Sequence, residues 1–337
     1  MAFDSRNSEK LGKSKGEEGY GQGRASIAAG DDVLLDEEVM VERMLAMIES
    51  PDSRTPTLPT VALELMTLSQ RAHVEIDDIV SLLERDSMIA ERVLELVGSV
   101  AMTGAMKITS LREAIMRTRL ATLRNIVMEI ALDMRVFKSE DYGDTMELLR
   151  KHSTATAHLS RMICKYTPIE SEFAFMAGLM HDVGIAGTLI ALSDAKGRRQ
   201  TPPDLISIWP AVDRVHLRAG ELMARQWGLP ADIVLAIQAH HQVRIQGFEH
   251  PLAATVALAN ELAHDHGAGV IPKDGATLEA LSELEADCIR AHSEVDRSGT
   301  QTLATAREAL RIDEGALERI RDEAPGVLRA LEDVGSV

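Results

Sequence analysis

The chain is short of aromatic residues, of cysteine and of positive charge, and each shortage removes a class of protein. Phe, Trp and Tyr make up 3% of 337 residues, while hydrophobic residues as a whole reach 45%. Leu, Ala, Ile, Val and 16 Met must therefore fill the core. Sheets draw on Val, Ile, Tyr, Phe and Trp, so this balance favours helices. There are two cysteines, Cys164 and Cys288, and no CxxC. A disulfide framework and a thiolate zinc site are thereby unsupported. Basic residues number 36 against 53 acidic, a formal charge of −17. Nucleic acid and anionic membrane surfaces repel such a chain. The densest basic cluster, Arg112, Arg117, Arg119 and Arg124, reads as a solvated helix face, which disfavours a nucleic-acid partner. No apolar run approaches the length expected of a bilayer span. No period-two alternation marks a strand, and no repeat recurs at a fixed period. The N-terminus has no apolar core of a secretion signal. The resulting expectation is a cytoplasmic protein without a membrane partner.

What is present is helical patterning. Residues 1–35 are polar and glycine-rich and read as a disordered tail. Residues 36–54 read as a short helix, with Val39, Met40, Met44 and Met47 on one side, and a linker broken by Pro51, with Pro56 and Pro59 just beyond. From Thr60 onward the helical period dominates. Ile76, Ile79, Val80 and Leu83 fall at i, i+3, i+4 and i+7. Ser87 is placed to cap a helix carrying Ile89, Val93, Leu96 and Val97, with Gly98 as its stop. Ser110 and Glu113 form a capping box. Leu120, Leu123, Val127, Ile130 and Met134 continue the spacing. The expected divisions are a first lobe over 55–140, a second over 141–266, a loop over 267–276 and acidic amphipathic helices over 275–335. Leu303, Leu310, Ala316, Leu317, Ile320, Val327 and Leu331 supply the apolar side of the last helices.

The candidate chemistry lies in the second lobe. His73, His158, His250, His264, His266 and His292 read as scattered surface or helix residues. His152, His181, His216, His240 and His241, with Asp182, sit in different settings. His181-Asp182 follows the apolar "FAFMAGLM" and precedes Gly184 and Gly187. His216 opens a helix ended by Gly228 and Pro230. Ile233, Ile237 and His240 share a helix face, so His240 points at the core and needs a partner there. Neighbours on a helix diverge by about 100°, so His240 and His241 meet on one ion only near a helix end. Imidazole and carboxylate suit zinc, iron or manganese. Such an ion makes a hydroxide nucleophile for phosphoester attack. Spacing alone leaves two readings open, packed histidines or a divalent-metal site, and the metal reading requires the six residues to converge.

The order His152, "HD" at 181–182, His216 and "HH" at 240–241 resembles the HD superfamily of metal-dependent phosphohydrolases. The context is closer to its HDOD branch, the HD-related output domains of bacterial signalling proteins. "LPTVALELMTLSQ", "IDDIVSLLERDSMIAERVLELVGSV" and "ITSLREAIMRTRLATLRNIVM" resemble the first lobe of that domain. Where the family usually has Asp-Pro and Asn-Ser, this chain has Asp86-Ser87 and Gly98-Ser99. "ESEFAFMAGLMHDVGIAG" and "HLRAGELMARQWGLPADIVLAIQAHH" carry the most specific likeness. The resemblance spans roughly residues 55 to 335. It implies an all-α fold of two packed helical lobes, an HD-superfamily-like bundle. It further implies a regulatory output module of cyclic-di-GMP, motility or biofilm circuits, working through a signalling protein partner or a small nucleotide ligand. Three positions depart from the active pattern. Ile185 stands where HDxGK has its lysine, Asn260 where the superfamily has its last metal-binding aspartate, and Leu148 where some HD-GYP enzymes add a carboxylate. No GYP signature occurs. The cluster then has three readings: a buried polar network, a bound metal without catalysis, or a phosphohydrolase in which Asp182 is catalytic and the substrate a nucleotide or cyclic dinucleotide.

Overall fold

The computed structural model describes residues 37–50, 53, 55–101, 108, 110–195, 203–270 and 297–335. The tail expected over 1–35, and residues 271–276 of the expected loop, lie outside the described residues, as does His292. Among the described residues the chain is all-α apart from one small hairpin. The helices are α1 (Glu37–Glu49), α2 (Thr60–Leu68), α3 (Ile76–Leu83), α4 (Ser87–Ala101), α5 (Leu111–Arg117), α6 (Leu120–Arg135), α7 (Gly143–Ile163), α8 (Ser171–Met180), α9 (Val183–Ala195), α10 (Leu205–Gln226), α11 (Ala231–Ala239) and α12 (Pro251–Asp265). Two more, α13 (Arg297–Leu310) and α14 (Glu314–Gly335), follow. β1 (Arg244–Ile245) and β2 (Phe248–Glu249) pair antiparallel between α11 and α12.

In the first lobe, α2 to α6 pack through the apolar faces their period predicts. Leu65, Leu83, Ile89, Val93, Leu123 and Val127 are all fully enclosed. Ser110 accepts from the Glu113 N–H at 3.2 Å, as the capping box requires. Two details differ from expectation. Asp86, not Ser87, caps α4 by accepting from Ile89 N–H at 3.2 Å, since Ser87 is already the first helical residue. The helix also runs through Gly98 to Ala101, because glycine weakens a helix without ending it. On α1 the buried stripe is Val41, Met44 and Ile48 rather than Val39, Met40, Met44 and Met47. The segment is apolar on several sides, so packing against α9 and α10 sets its phase. The basic cluster is not a bare face: Arg112 pairs with Asp77, and Arg117 with Glu113 at 2.7 Å.

The second lobe surrounds α8 and α9, which are buried on every side. Within Ser171–Asp194 an 18-residue window has a mean hydropathy of 1.6, so the segment is long and apolar enough for a membrane span by length and composition. That corrects the expectation that no run reaches such length; here 94% of the window is buried within the protein. Glycines set the close approaches. A Cβ at Gly178 would lie 2.8 Å from the Thr156 carbonyl, drawing α8 onto α7. At Gly184 it would lie 1.9 Å from the His216 carbonyl oxygen, so α9 and α10 touch backbone to backbone. One apolar core runs continuously from α1 to α11 through both lobes. A second forms where α13 and α14 cover α12 and α7, around Leu258, Leu262, Leu310, Leu317 and Ile320.

The hairpin was not expected from the sequence. Two-residue strands are too short to show alternation. Its signal is Gln246-Gly247, whose φ values of 50° and 85° form the turn.

Candidate functional site

Five helices deliver the six residues. His152 comes from the middle of α7, His181 and Asp182 from the turn between α8 and α9, and His216 from α10. His240 and His241 follow α11 at its C-terminal end, where two adjacent rings can turn to one place. Their ring centroids lie 4.1 Å apart. α12 closes the group with Asn260 and His264.

The backbone fixes how each ring points. His181 Nδ1 donates to the Gly178 carbonyl at 2.8 Å, His240 Nδ1 to Ile237 at 2.8 Å, and His216 Nδ1 to Asp213, each three residues back on its own turn. His152 Nδ1 donates to the Ala268 carbonyl at 2.7 Å. A carbonyl only accepts, so these four nitrogens each carry a proton, and a ring that holds no second proton presents Nε2 as a lone pair. All four Nε2 atoms surround one carboxylate. Asp182 Oδ2 lies 3.1 Å from His181 and 3.4 Å from His152. Its Oδ1 lies 3.3 Å from His240 and 3.7 Å from His216. His152 Nε2 faces His181 Nε2 at 3.1 Å, and His241 Nε2 faces His216 Nε2 at 3.2 Å. Two lone pairs at that distance repel unless a cation or a proton lies between them.

The six residues thus form two adjoining groups, His152–His181–Asp182 and His216–His240–His241, with ligand atoms in each group within 4.8 Å of one another. Asp182 spans them, one oxygen to each side. The setting is dry: His152, His181 and His240 are buried and Asp182 is 7% exposed. His241 alone reaches the surface. Burial brings His240 down to about 4. Burial also opposes charge on Asp182 and His181, but their mutual attraction and hydrogen bonds outweigh it. The Asp182 carboxyl lies well below the usual range and the His181 ring above it.

A divalent cation fits this donor set on the structure's own terms. The rings are pre-aimed through protonated Nδ1 atoms held by carbonyls, the arrangement that orients metal-binding histidines. His240 Nε2 is buried without a hydrogen bond. Asn260 Oδ1 is another buried atom without one. Three histidines read as scattered are not so. The His264 ring lies 4.9 Å from that of His152. His250 caps α12 by accepting from Ala253 N–H at 3.2 Å. His158 packs edge-on to Phe175 at 5.0 Å. His264 could have been noticed in the sequence, because it falls one turn after Asn260 on the same helix face. Ile185 is buried, and Leu148 is half-buried on α7.

This fold and cluster define an all-helical domain of the HD type. The HDOD domain family model matches residues 55–243, and the chain belongs to that family. A protein of Treponema pallidum (strain Nichols) with no characterised role is 26% identical over 233 residues, 66% of this chain and 45% of that protein. The chain therefore spans under half the length of this relative. Among solved structures, an HDOD domain protein of unknown function from Geobacter sulfurreducens superposes with a TM-score of 0.59 at 19% identity, covering 88% of this chain and 97% of that one. A protein of Marinobacter aquaeolei VT8, provisionally named for signal transduction, gives 0.57 at 15% identity over 90% and 66% of the two chains. Another from Shewanella amazonensis SB2B, provisionally named a metal-dependent phosphohydrolase, gives 0.55 at 12% identity over 81% and 99%. At these identities the likeness is one of fold.

Proposed function

We propose that this chain is a regulatory module of bacterial signal transduction that holds divalent metal in its His/Asp cluster and acts by binding a partner protein or a small nucleotide, without catalysis. The observation that carries the metal is the convergence of four Nε2 atoms on Asp182, with a proton of each ring held away on Nδ1. His152, His181 and Asp182 Oδ2 would hold one ion; His216, His240, His241 and Asp182 Oδ1 are placed for a second. A divalent ion so bound supplies Lewis acidity and lowers the pKa of coordinated water. The surrounding residues do not extend that to phosphoester turnover. Ile185 gives no cation for a phosphate, Asn260 gives a neutral amide where a carboxylate would serve as a stronger ligand, and most of the donor atoms are closed to solvent. The buried cluster instead ties α7, α8, α10, α11 and α12 into one rigid body whose surface is available to a partner.

A phosphohydrolase is the second reading, favoured by the exposed His241 edge, which gives a phosphate an approach to the His216 side. One experiment separates the two. Purified protein is analysed for iron, manganese and zinc, then assayed on bis-para-nitrophenyl phosphate and cyclic-di-GMP with those ions added. The expected result is bound metal, lost in Asp182→Asn, and no turnover. Turnover abolished by Asp182→Asn would establish the hydrolase, and absence of bound metal would remove both readings in favour of a proton-sharing network.

A further inference from the structure

α1 lies ahead of the matched residues 55–243 and packs on α9 and α10. Its sequence, EEVMVERMLAMIE, carries four glutamates and one arginine. Val41, Met44 and Ile48, at i, i+3 and i+7, are its buried anchors. The facing rim of α10 is basic. Arg214 grips Glu37 at 3.1 Å and Glu38 at 2.7 Å, and Arg218 holds Glu49 at 2.8 Å. Arg218 is shared with Glu221 at 2.9 Å, so the rim keeps its charge order when Glu49 leaves. These ion pairs are solvent-exposed and exchange readily. A helix of this length is marginal in water on its own, so the groove, not propensity, keeps α1 folded. The segment after it contains Pro51, Pro56 and Pro59 and is anchored separately: Trp227 donates through Nε1 to the Pro56 carbonyl at 3.0 Å, and Thr55 bonds Gln226 at 2.6 Å. The link to α2 is thus held by contacts of its own, apart from those of α1.

We propose that the α9–α10 face is a docking groove for an acidic amphipathic helix, filled in cis by α1 and open to such a helix of a partner protein when α1 is displaced. The partner's recognition element is a helix with apolar residues at i, i+3 and i+7 and glutamate or aspartate at both ends. This is the helix-in-groove mode, with charge at the rim setting orientation.

The test uses the full chain and a fluorescent synthetic peptide of residues 37–50. Val41→Ser/Met44→Ser/Ile48→Ser empties the groove by undocking α1. The peptide is expected to bind this variant at least tenfold more tightly than the wild type, with affinity falling as salt rises and lost on adding Arg214→Glu/Arg218→Glu. Equal affinity for both forms, or no binding to a triple variant that keeps its helical signal and cooperative unfolding, overturns the proposal. Should the triple variant not fold, hydrogen exchange on the wild type decides. Exchange in α1 far ahead of α10 supports a displaceable helix; exchange of both only on global unfolding overturns it.

Discussion

At Gly184 a hydrogen in place of a methyl sets the distance between α9 and α10. A Cβ there would sit 1.9 Å from the His216 carbonyl oxygen and 2.5 Å from the Gly220 nitrogen, both backbone atoms that cannot swing aside. Gly184→Ala must therefore push the helices apart, and overpacking of this kind costs about 3 kcal/mol. Urea unfolding will show the loss. Gly98→Ala is the control: its Cβ meets nothing within 4 Å inside α4, and the same measurement should show a gain of about 0.5–1 kcal/mol. His158 makes a different single-residue prediction. Burial, then the charge of Arg161, lowers its pKa from the ordinary 6.5 to about 4. The unfolded chain thus takes up a proton as pH falls through 6.5, while the folded chain resists until about 4. Its stabilising effect is complete above 6.5 and disappears across that window. Between pH 7 and 5 this linkage amounts to about 2 kcal/mol. Denaturant melts of His158→Phe should lose less stability over that interval than the wild type by about that amount; an unchanged pH slope would show that the ring is not the titrating group.

Among the elements, the link from α11 to α12 sets two preferences against each other. Val243 has φ 60°, a left-handed conformation that a β-branched residue strongly resists. The strain is of order 1–2 kcal/mol, which alone would favour glycine. Yet Val243 is fully buried in the second core, and enclosing such a side chain is worth about 1.5–3 kcal/mol. Burial wins, so Val243→Gly is expected to destabilise by about 1 kcal/mol; a stabilised variant would show that strain had dominated. The residue also closes the last turn of α11, its N–H bonding Ala239 O at 2.6 Å, and so holds His240 and His241 beside the cluster. These balances explain what was legible in the sequence element by element. Helix existence was readable from period and caps across α2 to α6. The phase of α1 was not, because several of its sides are apolar and only packing selects Val41, Met44 and Ile48. The hairpin was too short for its pattern to register.

At the scale of the whole molecule, the all-helical class and the two lobes follow from composition and period, but their sharing of one core does not. Nor does the convergence of the cluster, since His181 is brought to His152 and to His216 by close approaches at Gly178 and Gly184 that no local pattern encodes. The identities of the six residues were readable because histidine and aspartate in apolar surroundings need partners. The same reasoning passed over His158, His250 and His264, whose burial is purely tertiary. Because the cluster draws on α7, the α8–α9 turn, α10 and the end of α11, an ion bound there stabilises the fold as a unit. A ligand that binds only the folded state at a hundred times its Kd adds about 2.7 kcal/mol, which corresponds to a rise in Tm of roughly 5–10 °C for a large domain. Zinc, manganese or ferrous iron added to chelator-treated protein should therefore raise the wild-type midpoint in a concentration-dependent way and leave that of Asp182→Asn unmoved. If none of the three ions shifts the wild-type midpoint, the facing nitrogens of His152 and His181 are held together by a shared proton, and the centre is a packing device alone.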